Sequence, residues 1–137
     1  MDIILFSMGF CVTDIAKKEI SDKWVILCLL FGALKIIFNK ELFVYMTSGL
    51  ISALIISYIV YFFSRGGFGL GDVKMLGCIG MYIGTLQFIN VFTVALMITV
   101  IFGGILFILK KADRNTEVPF APFVTLSLIA VLLLKGV

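Results

Sequence analysis

Six apolar stretches separated by short polar breaks dominate this chain of 137 residues, and they dictate the solvent in which it can fold. A helix crosses a bilayer core with about 20 apolar residues, and shorter spans survive among neighbours or where the membrane thins. The stretches cover residues 3–16, 24–38 and 42–63, the run from just after Asp72 to 86, then 88–109 and 118–134. Only the region from Gln87 to Asn90 separates the fourth from the fifth. Hydrophobic residues make up 62% of the chain and charged residues 14%, against roughly 45–50% and 25% in soluble domains. A water-soluble chain of this size could not cover so much apolar surface. The expected fold is therefore an all-α membrane protein, a bundle of about six transmembrane helices in a single domain over residues 1–137.

The first stretch follows Met1 directly, with no basic region before it and no small-residue cleavage site after it, so it reads as a retained helix. Basic residues orient the array, because short cytoplasmic loops carry excess Lys and Arg. Lys17, Lys18 and Lys23 follow the first stretch, Arg65 and Lys74 flank the break after the third, and Lys110, Lys111 and Arg114 follow the fifth. Those eight of the eleven basic residues mark one side as cytosolic; Lys35, Lys40 and Lys135 fall on the other. Both termini are then extracytoplasmic. Gly77, Gly80 and Gly84 share one helical face through spacings of three and four, which lets a neighbouring backbone come close and predicts a central fourth span.

Several chemistries are excluded. The net charge of +3 is small and dispersed, so there is no nucleic-acid footprint. Histidine is absent, and Cys11, Cys28 and Cys78 lie singly inside apolar runs. That rules out the usual zinc spacings and any Ser-His or Cys-His nucleophile, and no metal or other cofactor is expected. The thiols read as small buried hydrophobes.

An acid at membrane depth costs about 2.5–3.5 kcal/mol on insertion scales, so a persistent one faces a protein interior or a functional cavity. Asp2 sits at the outer terminus, and Glu41, Asp113 and Glu117 belong to polar loops. Glu19 and Asp22 occupy the basic loop after the first stretch, where pairing with Lys17, Lys18 or Lys23 accounts for them. Asp14 and Asp72 remain, one closing the first stretch and one opening the fourth, both on the cytosolic side by the charge argument. Two neighbouring carboxylates cannot both ionise easily and tend to share a proton. One then serves as base toward a water while the other polarises a carbonyl, which is peptide hydrolysis without histidine, metal or covalent nucleophile. The glycines before Asp72, at 66, 67, 69 and 71, can adopt positive φ and let a substrate strand approach.

The segment Gly69-Leu70-Gly71-Asp72-Val73-Lys74-Met75-Leu76 resembles the Gly-x-Gly-Asp-x-Lys-Leu signature of the prepilin (type IV leader) peptidases. Asp14 followed by Ile20-Ser21-Asp22 is similar to that family's first motif, an Asp followed by Ile-Pro-Asn or Leu-Pro-Asp. Pro119-Phe120-Ala121-Pro122-Phe123 resembles the Pro-Phe-Gly-Pro-Phe element that opens its last helix. The resemblance implies Asp14 and Asp72 as catalytic aspartates, Gly69 and Gly71 as motif glycines, and Lys74 as the motif lysine, for which snorkelling to headgroups is the plain physical reading. It further implies a bacterial cytoplasmic-membrane endopeptidase acting on prepilin-like, single-spanning precursors that carry a basic cytosolic leader.

The chain departs from the pattern at Ser21, where proline is usual, and at Ala121, where glycine is usual. The larger members' paired Cys-x-x-Cys region is absent, so the resemblance is to the short, peptidase-only form. Presenilin-like and preflagellin-type peptidases share the Gly-x-Gly-Asp logic, but the Pro-Phe-Ala-Pro-Phe element favours the bacterial group. The alternative from another class is a small transporter or channel subunit whose paired acids bind a cation or relay protons. Such a site belongs at the bilayer midplane with repeat symmetry, and the sequence shows no repeat.

Overall fold

The computed structural model describes residues 2–17, 19–65, 67–110 and 119–135. Lys18, Gly66 and residues 111–118, with Lys111, Asp113, Arg114 and Glu117, lie outside the described part. The described residues form five helices and no strand: α1 (Asp2–Lys17), α2 (Asp22–Phe38), α3 (Leu42–Phe63), α4 (Leu70–Ile108) and α5 (Ala121–Leu134). By length and composition α3 and α4 can each cross a membrane, and α5 is a shorter apolar helix. Large apolar side chains such as Leu5, Ile26, Ile55, Phe62 and Ile101 point away from the bundle, as lipid-facing residues do.

The first three stretches and the last match α1, α2, α3 and α5 closely, whereas the fourth and fifth form one helical element. The break expected near Gln87–Asn90 is absent, since both residues are helical, and the element is two helical arms joined across a kink. A polar side chain does not interrupt a helix whose hydrogen bonds run along its own main chain. The break comes instead at Gly84, with φ 76° and ψ 168°, a backbone that only glycine adopts without strain. The Tyr45 hydroxyl donates to the Ile83 carbonyl beside it. That contact matters because an apolar surrounding offers no water to a backbone group released from its helix.

The expected central position of α4 is borne out, since it touches all four other helices. Its most intimate partner is α3, where backbones meet: a Cβ on Gly80 would overlap Ala53 and come 2.7 Å from the Gly49 carbonyl oxygen. A Cβ on Gly77 would come 2.7 Å from Leu54 Cδ2. Ser52 and Thr85 hydrogen-bond across the same seam at 3.1 Å. Tyr82 donates to the Cys28 carbonyl at 3.0 Å, tying α4 to α2, and Thr125 donates to the Ser7 carbonyl at 3.1 Å, tying α5 to α1. Cys28 and Cys78 are buried and Cys11 is half-buried, all as free thiols. Lys35 pairs with Asp2 where the start of α1 meets the end of α2, leaving Asp14 toward the opposite end of the bundle.

Overpacking a filled seam costs about 1–3 kcal/mol. Gly80→Val should therefore lower the thermal midpoint of the detergent-solubilised protein. Gly103→Val, where an added Cβ meets nothing within 4 Å, should leave the midpoint near that of the parent in the same scan.

Candidate active site

Asp14 lies in the last turns of α1 and is only 7% exposed. Its Oδ2 accepts a hydrogen bond of 3.1 Å from the backbone N–H of Ala121, the first residue of α5. The first N–H groups of a helix have no partner within it and carry the positive end of the helix dipole, so they suit a buried carboxylate. Sequence holds this helix start in place: Pro122 in its first turn needs no N–H partner, and Phe120 before it is buried. The Phe120 ring meets Phe68 edge-on at 5.3 Å and Phe92 at 6.5 Å.

Phe68 belongs to the glycine-rich loop before Asp72. Its backbone N–H donates to Ser64 Oγ at 3.1 Å, and its ring is buried in the aromatic cluster. Two residues later α4 begins, with Gly69 as its N-cap and Asp72 in its first turn reaching back to accept the Gly69 N–H at 3.3 Å. The loop that carries Asp72 and the helix start that bonds Asp14 are thus joined through the Phe68–Phe120 contact.

Gly69 has φ −83° and ψ 151°, an extended conformation open to any residue. Among the described glycines only Gly84 has positive φ, so the expected left-handed freedom of the loop glycines is not used at 67, 69 or 71. Space is tight at Gly71 instead: an added Cβ would lie 3.3 Å from Ile20 Cβ, so Ile20 would have to yield slightly to admit a side chain.

Asp14 and Asp72 line one cavity of about 350 Å³, together with Glu19 and Asp22 from the loop between α1 and α2. Gly69, Gly71 and Lys74 line the cavity too, so all five sequence-predicted site residues come together. Asp22 corrects an expectation. It pairs with Lys74 of α4, Nζ to Oδ1 at 2.9 Å, a partner outside its own loop, which also gives Lys74 a partner other than lipid headgroups. Sequence reasoning gave Asp22 only a pairing within its own loop and assigned no role to Phe68 or Phe120; the available signal was that all three stand in or beside the three motifs.

Residues 2–108 match the family model of the type IV leader peptidase family. The chain belongs to that family. Comparison with curated proteins and with solved structures returned no match. The protein is a leader-peptidase-like protease, and its apolar helices fit the membrane setting of such peptidases. Asp14, Asp22, Asp72 and Lys74 all fall within the matched residues, whereas α5, which supplies the N–H to Asp14, follows them.

Edge-to-face aromatic pairs contribute about 0.5–1.5 kcal/mol beyond area burial. A double-mutant cycle on this peptidase with Phe68→Ala and Phe120→Ala, read by chemical unfolding in detergent, should return a coupling of about that size. Purely additive effects would show that the two rings act independently.

Proposed function

We propose that this peptidase is an aspartic endopeptidase that removes the basic leader from type IV prepilin-like precursors, with Asp14 and Asp72 as the catalytic pair. The observation that carries this reading is the shared cavity: two acids remote in sequence, on α1 and α4, face one space at one end of the bundle. Membership of the type IV leader peptidase family supports it and disfavours the transporter alternative.

The mechanism needs one carboxyl to hold a proton and the other to be ionised, an arrangement that two acids brought together favour over double ionisation. The ionised member takes a proton from a water whose oxygen attacks the scissile carbonyl carbon. The protonated member hydrogen-bonds the carbonyl oxygen and stabilises the charge that develops there. As the tetrahedral intermediate collapses, the C–N bond breaks, the leaving nitrogen gains a proton from the pair, and the two acids again share a single proton. Ground and product states thus carry the same protonation.

The remaining assignments follow the charge pattern. The chain is a single multi-pass domain of the bacterial cytoplasmic membrane, its termini are extracytoplasmic, and the cavity opens at the cytosolic edge. A precursor's apolar helix can then stay in lipid while its extended cleavage segment enters the cavity. The substrate is a single-spanning precursor, and no metal or cofactor takes part.

General acid–base catalysis contributes about 10²–10⁴-fold. Purified Asp14→Asn and Asp72→Asn variants should each lose cleavage of a prepilin-like precursor by at least that factor, measured by gel shift and N-terminal sequencing of the product. Full cleavage by either variant would refute the paired-acid mechanism.

A further inference from the structure

Two contacts carry the loop between α1 and α2 across the first turns of α4. Ile20 packs on Gly71, and Asp22, the first residue of α2, bonds Lys74 one turn beyond it. The loop follows Asp14 within a few residues, and Gly71 immediately precedes Asp72. The residues of both contacts line the cavity together with the two carboxylates.

We infer that the Asp22–Lys74 ion pair is a positioning clasp, which seats Ile20 on Gly71 and so fixes the spacing of Asp14 and Asp72. The inference rests on the paired-acid reading. It accounts for features which that chemistry leaves unassigned: a lysine two residues after Asp72, an acid opening α2, and a glycine with no Cβ where Ile20 sits. In this role Asp22 and Lys74 act on the reaction through the loop.

An ion pair this exposed, with side chains 53% and 68% accessible, adds little to global stability. Its loss is therefore read in geometry and in turnover rather than in unfolding. A small displacement of reacting groups lowers rate by about 10–100-fold. Asp22→Lys and Lys74→Asp should each lower kcat by about tenfold or more with KM changed less than about threefold. The double reversal D22K/K74D should recover kcat to within about threefold of the parent.

A second measurement needs no activity. The spacing of 3.3 Å from an added Cβ on Gly71 to Ile20 Cβ is close to that of a disulfide, about 3.5–4.5 Å. In full-length Ile20→Cys/Gly71→Cys protein, mild oxidation should link the two positions, identified by mass spectrometry of the joined peptides. Adding D22K should slow that linkage about fivefold or more, and adding K74D as well should restore it. Linkage at the parent rate in D22K, or a double reversal as slow as the singles, would overturn the clasp. Failure of the parent to cleave any precursor would instead refute the proposed function, while the linkage rate still decides the clasp.

Discussion

A bundle whose outer surface is apolar gives its backbone and polar side chains no solvent to fall back on, so each must find a partner within the chain. Among the described residues no buried side-chain nitrogen or oxygen lacks one. The consequences run through the whole architecture. Tyr45 answers the carbonyl beside the break in α4, Tyr82 reaches a carbonyl of α2, and Thr125 reaches one of α1. These are interhelical bonds, and together with the glycine seam between α3 and α4 they set which helices are neighbours. Asp14 is the extreme case: a nearly inaccessible acid that persists because a helix start is aimed at it.

The cavity is accordingly a product of helix ends rather than of helix faces. The end of α1 supplies Asp14, the start of α4 supplies Asp72, the start of α5 supplies an N–H, and the start of α2 supplies Asp22. Helix starts favour negative charge, which explains how several carboxylates are tolerated around one small space. Among the described residues Lys74 is the basic one lining that space, and it is engaged by Asp22.

Much of this was legible in sequence, for identifiable reasons. Long apolar runs give α3 almost to the residue, because nothing but a helix satisfies the backbone in lipid. Gly77 and Gly80 pointed to the close face of α4, and Asp14 and Asp72 to the site, because small residues and acids are costly or unusual enough there to require a cause. The position of the bend was not legible. Gln87 and Asn90 advertised a polar break, but the conformation at Gly84 depends on Tyr45 from another helix. The partner of Asp22 was hidden for the same reason: three loop lysines stood nearer in sequence than Lys74, and only tertiary structure selects among them. Phe120 stood in a motif and Phe68 beside one, but their contact was invisible until the fold joined them.

The hydrogen bond from Ala121 to Asp14 joins the first helix to the last. During synthesis α1 through α4 emerge and can pack before α5 exists, so both acids are present while one still lacks its partner. The buried acid of α1 therefore gains its backbone partner only when a segment more than a hundred residues downstream has folded against it.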